Sequence, residues 1–495
     1  MHSKLSSLAA AALLTLAAGA QATTLNWARA WTYKHAATGV SGQTSEIVTF
    51  ESLSSTLWVV GLKGVDVLNA SNGALVQHID TSAFGEANSV ATYNGLVAVA
   101  VAAPTKTDPG TVRFYDASRS YLGSTIVGAL PDMVAFSPDG SRLLVANEGE
   151  RSGSFDPAGS VSIIDVASRS VVATPGLVGV PTAGSNIRTF TGAVGGTAMD
   201  SEPEYITFNA SGTKAFVVLQ EANAIATLDL GSNSFTKVTG LGVKSFNTPT
   251  SGIDPSDRDY LSGTSGPTRM QTGPVAASGL YQPDGIASYN VAGQTFLVMA
   301  NEGDSRADEK DEARGSDFGA SGDLARLTVS NIDSSNGNLV AFGARSFSIR
   351  DEDGQIVFDS GSQLDDLAIA EGIYSDGRSD NKGVEPEGVT LSTIAGRTYA
   401  FIGLERTTTS AVAVYDITDP TQASFVNLIV GTGDVSPEGL TTFQMAGQTY
   451  LAVANEVSGS TSVYSLTPVP EPTSYALMLA GLAGVLTLSR RRAAR

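Results

Sequence analysis

Acidic residues recur in this chain in a fixed relation to proline. A Pro-acid pair appears five times, as Pro131-Asp132, Pro203-Glu204, Pro283-Asp284, Pro386-Glu387 and Pro437-Glu438. Each is followed at 17 to 19 residues from its proline by a second acid: Glu148, Glu221, Glu302, Glu405 and Glu456. Carboxylates can act as general acids and bases, or supply the oxygen ligands that a hard cation such as calcium requires. Ten of them drawn close together cannot all stay ionised without compensation. Three arrangements meet that demand. In the first, which the recurrence itself favours, the acids accept hydrogen bonds from backbone N–H groups and tie structure together. In the second they pair with Arg306, Arg406, Arg378 or Lys382, which stand beside the same motifs. In the third they hold a metal ion.

Other chemistry is scarce. There is no cysteine, and of the three histidines only His35 and His78 lie beyond the extreme N-terminus, far apart in sequence. A zinc or haem centre is therefore not expected, and each of these histidines reads as an ordinary surface or core residue. No Gly-x-Ser-x-Gly elbow, Walker loop or helix-opening Gly-x-Gly-x-x-Gly is present. Any catalysis would run on carboxylates, arginines and a hard metal. The dense run Asp304–Arg314 reads as a solvated loop.

The elements that must position these acids are short β-branched runs separated by Gly, Ser, Asn and Asp, with little helical periodicity. After each Pro-acid pair comes an apolar strand, a turn, and a second strand closing in an acid: Val145-Ala-Asn-Glu148, Val218-Leu-Gln-Glu221, Met299-Ala-Asn-Glu302, Gly403-Leu-Glu405 and Val453-Ala-Asn-Glu456. A third strand follows in most copies. Two degenerate copies precede these, one starting at Ile47 and one at Ser89. Repeats that bury their faces only against neighbours, arranged in a ring, predict an all-β fold, a β-propeller of about seven blades with long loop insertions. The insertions are expected at Asn223–Tyr281 and Glu302–Glu385, the second carrying a small hairpin at Asp353–Asp359. In such a ring both acid positions face one mouth of the channel.

The ends read as export signals. Lys4, the small apolar run Leu8–Ala20 and Ala20-Gln21-Ala22 form a cleavable signal peptide over residues 1–22. Residues 23–468 are the expected domain, and 469–495 a sorting tail. Val469-Pro-Glu-Pro472, an apolar stretch at 475–488 and Arg490-Arg-Arg492 together resemble a PEP-CTERM sorting signal. That resemblance implies exosortase as a processing partner, transient membrane insertion of a short transmembrane segment, and display on the surface or in the matrix of a Gram-negative bacterium. A permanent tail anchor is the alternative. The formal charge of −19 argues against nucleic acid and favours cations or basic partners. A chain this long can hold a core without disulfides.

Several motifs, in order, resemble the choice-of-anchor I family: Leu130-Pro-Asp-Met133 with Ala146-Asn-Glu-Gly-Glu150, Glu202-Pro-Glu-Tyr205 with Leu219-Gln-Glu-Ala-Asn-Ala224, Ala300-Asn-Glu-Gly-Asp-Ser-Arg306, Glu385-Pro-Glu-Gly388 with Gly403-Leu-Glu-Arg406, and Ser436-Pro-Glu-Gly439 with Ala454-Asn-Glu-Val-Ser-Gly459. The resemblance implies a YVTN/quinoprotein-like propeller on a cell surface. Some members carry an alkaline phosphatase label and others a mesenchyme-specific surface glycoprotein label, and neither fixes an activity. The leading expectation is a binding module for a matrix polysaccharide or other surface ligand. The rival is a calcium-dependent phosphoesterase, with the ten acids as metal ligands and Arg306 or Arg406 as the catalytic phosphoryl clamp. A scaffold whose acids serve only the blades is the third.

Overall fold

A computed structural model of the chain describes residues 25–153, 155–188, 201–258, 270–306 and 310–469. The signal peptide and the sorting tail read from the sequence lie outside them. Among the described residues no helix is long and apolar enough to cross a membrane.

Second strands carry the clearest sequence signature. Thr56–Gly61, Leu96–Val101, Arg142–Asn147, Lys214–Leu219, Gln294–Asn301, Arg397–Leu404 and Gln448–Asn455 are near-continuous apolar runs. Such runs suit strands covered on both faces. Side chains alternate across a strand, so each run feeds two cores. Trp58 and Val60 pack toward Val97 and Val99, whereas Leu57 and Val59 pack toward Ala452 and Ala454. The same division repeats at the other junctions.

Each of these strands is the second of an antiparallel sheet. Six such sheets have four strands, and a seventh carries a fifth strand, Thr182–Ser185, laid parallel along its outer edge. Their innermost strands contact one another in a closed cycle: Val48–Glu51, Ala87–Tyr93, Pro131–Phe136, Pro203–Phe208, Ile286–Val291, Pro386–Ile394, Pro437–Met445 and back to the first. The architecture is a β-propeller of seven sheets in the described residues.

Closure is made by a strand from the other end of the chain. Leu25–Lys34 pairs with Ser460–Pro468 as the outermost strand of the last blade. Two polar clusters pin it. Buried Asp434 takes Arg29 at 3.2 Å and Lys34 at 3.0 Å, and also accepts from Ser460 and Ser462. Just beyond the strand, buried His35 sets Nδ1 at 2.5 Å from one oxygen of Asp66, and His78 sets Nδ1 at 2.6 Å from the other. His35 Nε2 reaches Thr461 in the last blade at 2.8 Å. Histidines distant in sequence thus share the two oxygens of one carboxyl group at the seam.

The insertions differ from the expected bounds. Residues 224–241 supply the third and fourth strands of the fourth blade, Ala224–Asp229 and Ser234–Leu241. The insertion therefore begins after Leu241. The hairpin read into the second insertion is the outer half of the fifth blade: Ser346–Asp351 pairs with Gln294–Asn301, and Ile356–Asp359 pairs with Ser346–Asp351. A long excursion separates strands of one sheet, which hid their relation. The two insertions join each other: Val243–Ser245, Ala277–Leu280 and Leu339–Ala341 share a small sheet over a core that includes Phe246, Leu327 and Val329. A helix at Gln363–Glu371, ended by Gly372 at φ 75°, follows the fifth blade.

Candidate functional site

The repeated spacing has a backbone cause. In four copies the residue before the proline is left-handed: Leu130 (φ 45°), Gln282 (40°), Glu385 (50°) and Ser436 (65°). This conformation costs an L-residue roughly 1–2 kcal/mol, and here a backbone bond holds it. The carbonyl of each of these residues accepts the N–H at or beside the second acid, Glu148, Gly303, Glu405 and Glu456, at 2.8–3.0 Å. Immediately after the proline the pairing slips at Pro131/Met133, Pro203/Ile206, Pro386/Val389 and Pro437/Leu440. Asp132, Glu204, Glu387 and Glu438 thus stand in bulges, which turn a side chain out of the pleat.

Glycine completes the motif in the later blades. Gly285 N donates to Glu387 O at 3.2 Å, and Gly439 N donates to Glu46 O at 2.9 Å. A Cβ on Gly285, Gly388 or Gly439 would lie 2.4, 2.0 or 2.3 Å from the next blade's carbonyl oxygen. Backbone, not carboxylate, therefore stitches neighbouring blades around the axis.

The carboxylates converge instead on a cavity of about 210 Å³ lined from all seven blades. Asp132, Glu148, Glu204, Asp284, Glu302, Glu387 and Glu438 line it, with Asn88 and Gln220. Glu148 and Glu204 also face an adjoining cavity with Glu221, Glu202, Asp304 and Arg306. Glu405, buried, lies beside Glu302 and Glu385. Glu456 stands close enough to Glu438 to raise its pKa. All ten acids expected at one mouth are thus within this neighbourhood.

Two members of the inner ring have no proline to announce them. Glu46 holds the first blade's position, since its carbonyl meets Gly439 as that of Glu387 meets Gly285. Asn88 holds the second, in the slip between Ala87 and Ser89. The ring therefore reads Glu46, Asn88, Asp132, Glu204, Asp284, Glu387 and Glu438: six carboxylates and one amide.

Burial, with mutual repulsion added, lifts these groups. Asp132 is pushed up to about 6 by desolvation and by Glu221. Glu46 is pushed up to about 7 by burial and by Glu456, Glu86 and Asp132, against a hydrogen bond from Thr44. Desolvation drives Glu148, Glu204, Asp284, Glu387 and Glu438 well above the usual carboxylate range, with neighbouring acids adding to it. Buried Oε2 atoms of Glu204, Glu221 and Glu387 have no hydrogen-bond partner. Backbone bonding therefore leaves oxygens of the ring unsatisfied.

Cations of the chain itself serve the second layer. The Arg306 guanidinium meets Glu202 through two contacts of 2.9 and 2.5 Å, both residues being buried. Glu202, one residue before Pro203, was not among the expected site residues. Asp311 is buried too and is gripped by Arg188 through both oxygens at 2.7 Å. The mixed-charge run is thus partly an interior ion-pair array and not the solvated loop expected. Lys382 Nζ sits 3.3 Å from Glu302, 3.2 Å from Glu385 and 2.6 Å from the Gly303 carbonyl. Burial would lower its pKa, but Glu302, Glu385 and Asp304 raise it above the ordinary lysine value. Glu385 is further held by Arg378 at 2.7 Å. Arg406 is 41% exposed and 2.9 Å from Glu405.

Ring topology and an acid-lined axial cavity define an acidic β-propeller. The chain belongs to the choice-of-anchor I domain family, which matches residues 46–420. That range ends in the sixth blade, so the motifs at Ser436–Gly459 lie beyond it. A PEP-CTERM protein-sorting motif matches residues 468–493, the signal that exosortase processes, which makes this an exported cell-surface protein. No curated protein matches the chain. Among solved structures, hydrazine synthase of Kuenenia stuttgartiensis is similar at 12% identity and TM-score 0.47, over 86% of this chain and 96% of that one. The β-propeller domain of Myceliophteria thermophila Cps50 (Swd1) is similar at 9% identity and TM-score 0.45, over 86% and 98%.

Proposed function

We propose that this surface propeller is a binding module whose axial carboxylates take up a hard divalent cation, calcium by the chemistry of the donors. One observation carries the reading: buried carboxylate oxygens converge on one cavity, and those of Glu204 and Glu387 have no partner within the protein. Calcium accepts six to eight oxygens, and several carboxylates with water can supply them. Bound there, the ion would offer its remaining positions to hydroxyl or carboxylate oxygens of a matrix polysaccharide. The test is calcium titration calorimetry on chelator-treated protein, with thermal unfolding alongside. Saturable heat and a raised melting temperature are expected, and their joint absence refutes the reading.

A second reading has one observation in its favour. Arg406 is part-exposed at the edge of the same acids, where a guanidinium could grip a phosphoryl oxygen while a metal polarises the ester. Arg306 suits that task less, because its fork is on Glu202. Calcium-dependent hydrolysis of a phosphomonoester, lost in Arg406→Ala, would establish it. No turnover with calcium present would leave the binding reading alone.

A further inference from the structure

The cavity is ringed by carboxylates, yet they are not equivalent. Two overlapping trios bring one oxygen from each member within 4.8 Å of the others: Asp284, Glu302 and Glu387, and Glu302, Glu385 and Glu405. Glu302 belongs to both. The second trio is already served by the protein's own cations. Lys382 lies between Glu302 and Glu385, Arg378 binds Glu385, and Arg406 with Ser436 binds Glu405. In the first trio only Glu302 is served, by Lys382 on one oxygen and by Gln220 at 2.9 Å on the other. The buried Oε2 of Glu387 is unpartnered. Glu204, only 8% exposed, lines the same cavity and leaves its Oε2 equally unpartnered.

Building on the proposed function, we infer that the cation is held by Asp284, Glu302 and Glu387, and that Lys382 acts as a built-in ammonium filling the adjoining trio, so that the pair of sites takes one divalent ion. Three cations (Lys382, Arg378 and Arg406) are paired with the carboxylates of the second trio (Glu302, Glu385 and Glu405), whereas among the described residues no ion pair is made to Asp284 or Glu387. Gln220 and Lys382 fix the orientation of the shared ligand Glu302, the role that partners of a ligating carboxylate commonly play.

Calcium titrations of the full chain after chelation separate the possibilities. Wild type should bind one ion. Asp284→Asn or Glu387→Gln should weaken binding by about tenfold or more, whereas Glu405→Gln should change it by less than about threefold. Lys382→Met should raise the stoichiometry to two. Two or more ions on wild type, wild-type affinity in Glu387→Gln, or a stoichiometry of one in a folded Lys382→Met chain would each overturn the inference while leaving cation binding itself intact. Should Lys382→Met fail to fold by circular dichroism, the contrast between Glu387→Gln and Glu405→Gln in the intact background decides. No binding by wild type refutes the proposed function and this inference together.

Discussion

Raising the pH in the presence of chelator should destabilise this protein, and Glu46 lets the effect be sized. Its carboxyl is pushed up from 4.5 to about 7 in the fold, chiefly by burial. A raised acid is better tolerated protonated, so the folded state binds more protons than the unfolded one between those values. Its full contribution is present below pH 4.5 and is lost as the pH rises through 7. At 1.36 kcal/mol per pH unit, the loss is on the order of 3 kcal/mol. For a folded unit of about 400 residues, with roughly 2.1 cal/mol/K of unfolding entropy per residue, that is about 4 °C. Asp132 and the other raised carboxyls of the ring act with the same sign, so 4 °C is a lower bound for wild type. Scanning calorimetry at pH 5 and pH 8.5 in chelator measures it. Glu46→Gln should remove about 3 °C of the fall over this interval, since a little of the contribution is already lost at pH 5, and calcium should remove most of the remainder. A melting temperature that stays level or rises between these pH values without calcium would refute the electrostatic account of the ring.

Three other outcomes follow from the geometry. Gly388→Ala places a methyl 2.0 Å from the Glu438 carbonyl and should cost about 3 kcal/mol or more, while Gly377→Ala, which meets nothing within 4 Å, should stay within about 0.5 kcal/mol in the same denaturant titrations. Arg306→Ala leaves Glu202 buried without its cation and should lower stability by about 3–5 kcal/mol, visible as a reduced denaturation midpoint. Asp66→Ala strands two histidines at the seam and should cost about 2–4 kcal/mol, with hydrogen exchange rising first in Leu25–Lys34 and Ser460–Pro468.

What could be read in the sequence was whatever each blade repeats. Pro-acid pairs and closing acids recur because one local device, a left-handed residue, a proline and a bulge, is built in the third, sixth and seventh blades and in part in the fourth and fifth, and its spacing survives as text. Where the proline is missing, the ring position is kept but its mark disappears: Glu46 follows Ser45 and Asn88 follows Ala87. Partners remote in the chain leave no mark either. Glu202 and Arg306 are 104 residues apart, and nothing local to either suggests the other. Asp353–Asp359 reads as a hairpin but holds only a turn and one strand, Ile356–Asp359; its partner strand Ser346–Asp351 lies before it, and their place in the fifth blade depends on pairing across the insertion. The nine-residue helix at Gln363–Glu371 buries only Leu364, Asp365 and Ala368, too little apolar periodicity to stand out in a β-rich chain.

The strand that closes the ring also sets an order of events. Most blades take their strands from one stretch of chain and can form as that stretch emerges. The last waits on residues that were synthesised first, since Leu25 pairs with Pro468. Joining ends more than 400 residues apart costs only about 5 kcal/mol in chain entropy, because that cost grows with the logarithm of loop length. The penalty is one of time. Throughout transit, Leu25–Lys34 is a strand without its partner, open to the wrong edge of another chain. Its partner strand ends at Pro468, and the sorting motif begins at that same residue. A force applied to the chain beyond Pro468 would therefore arrive directly at the clasp, the ring's last-made joint.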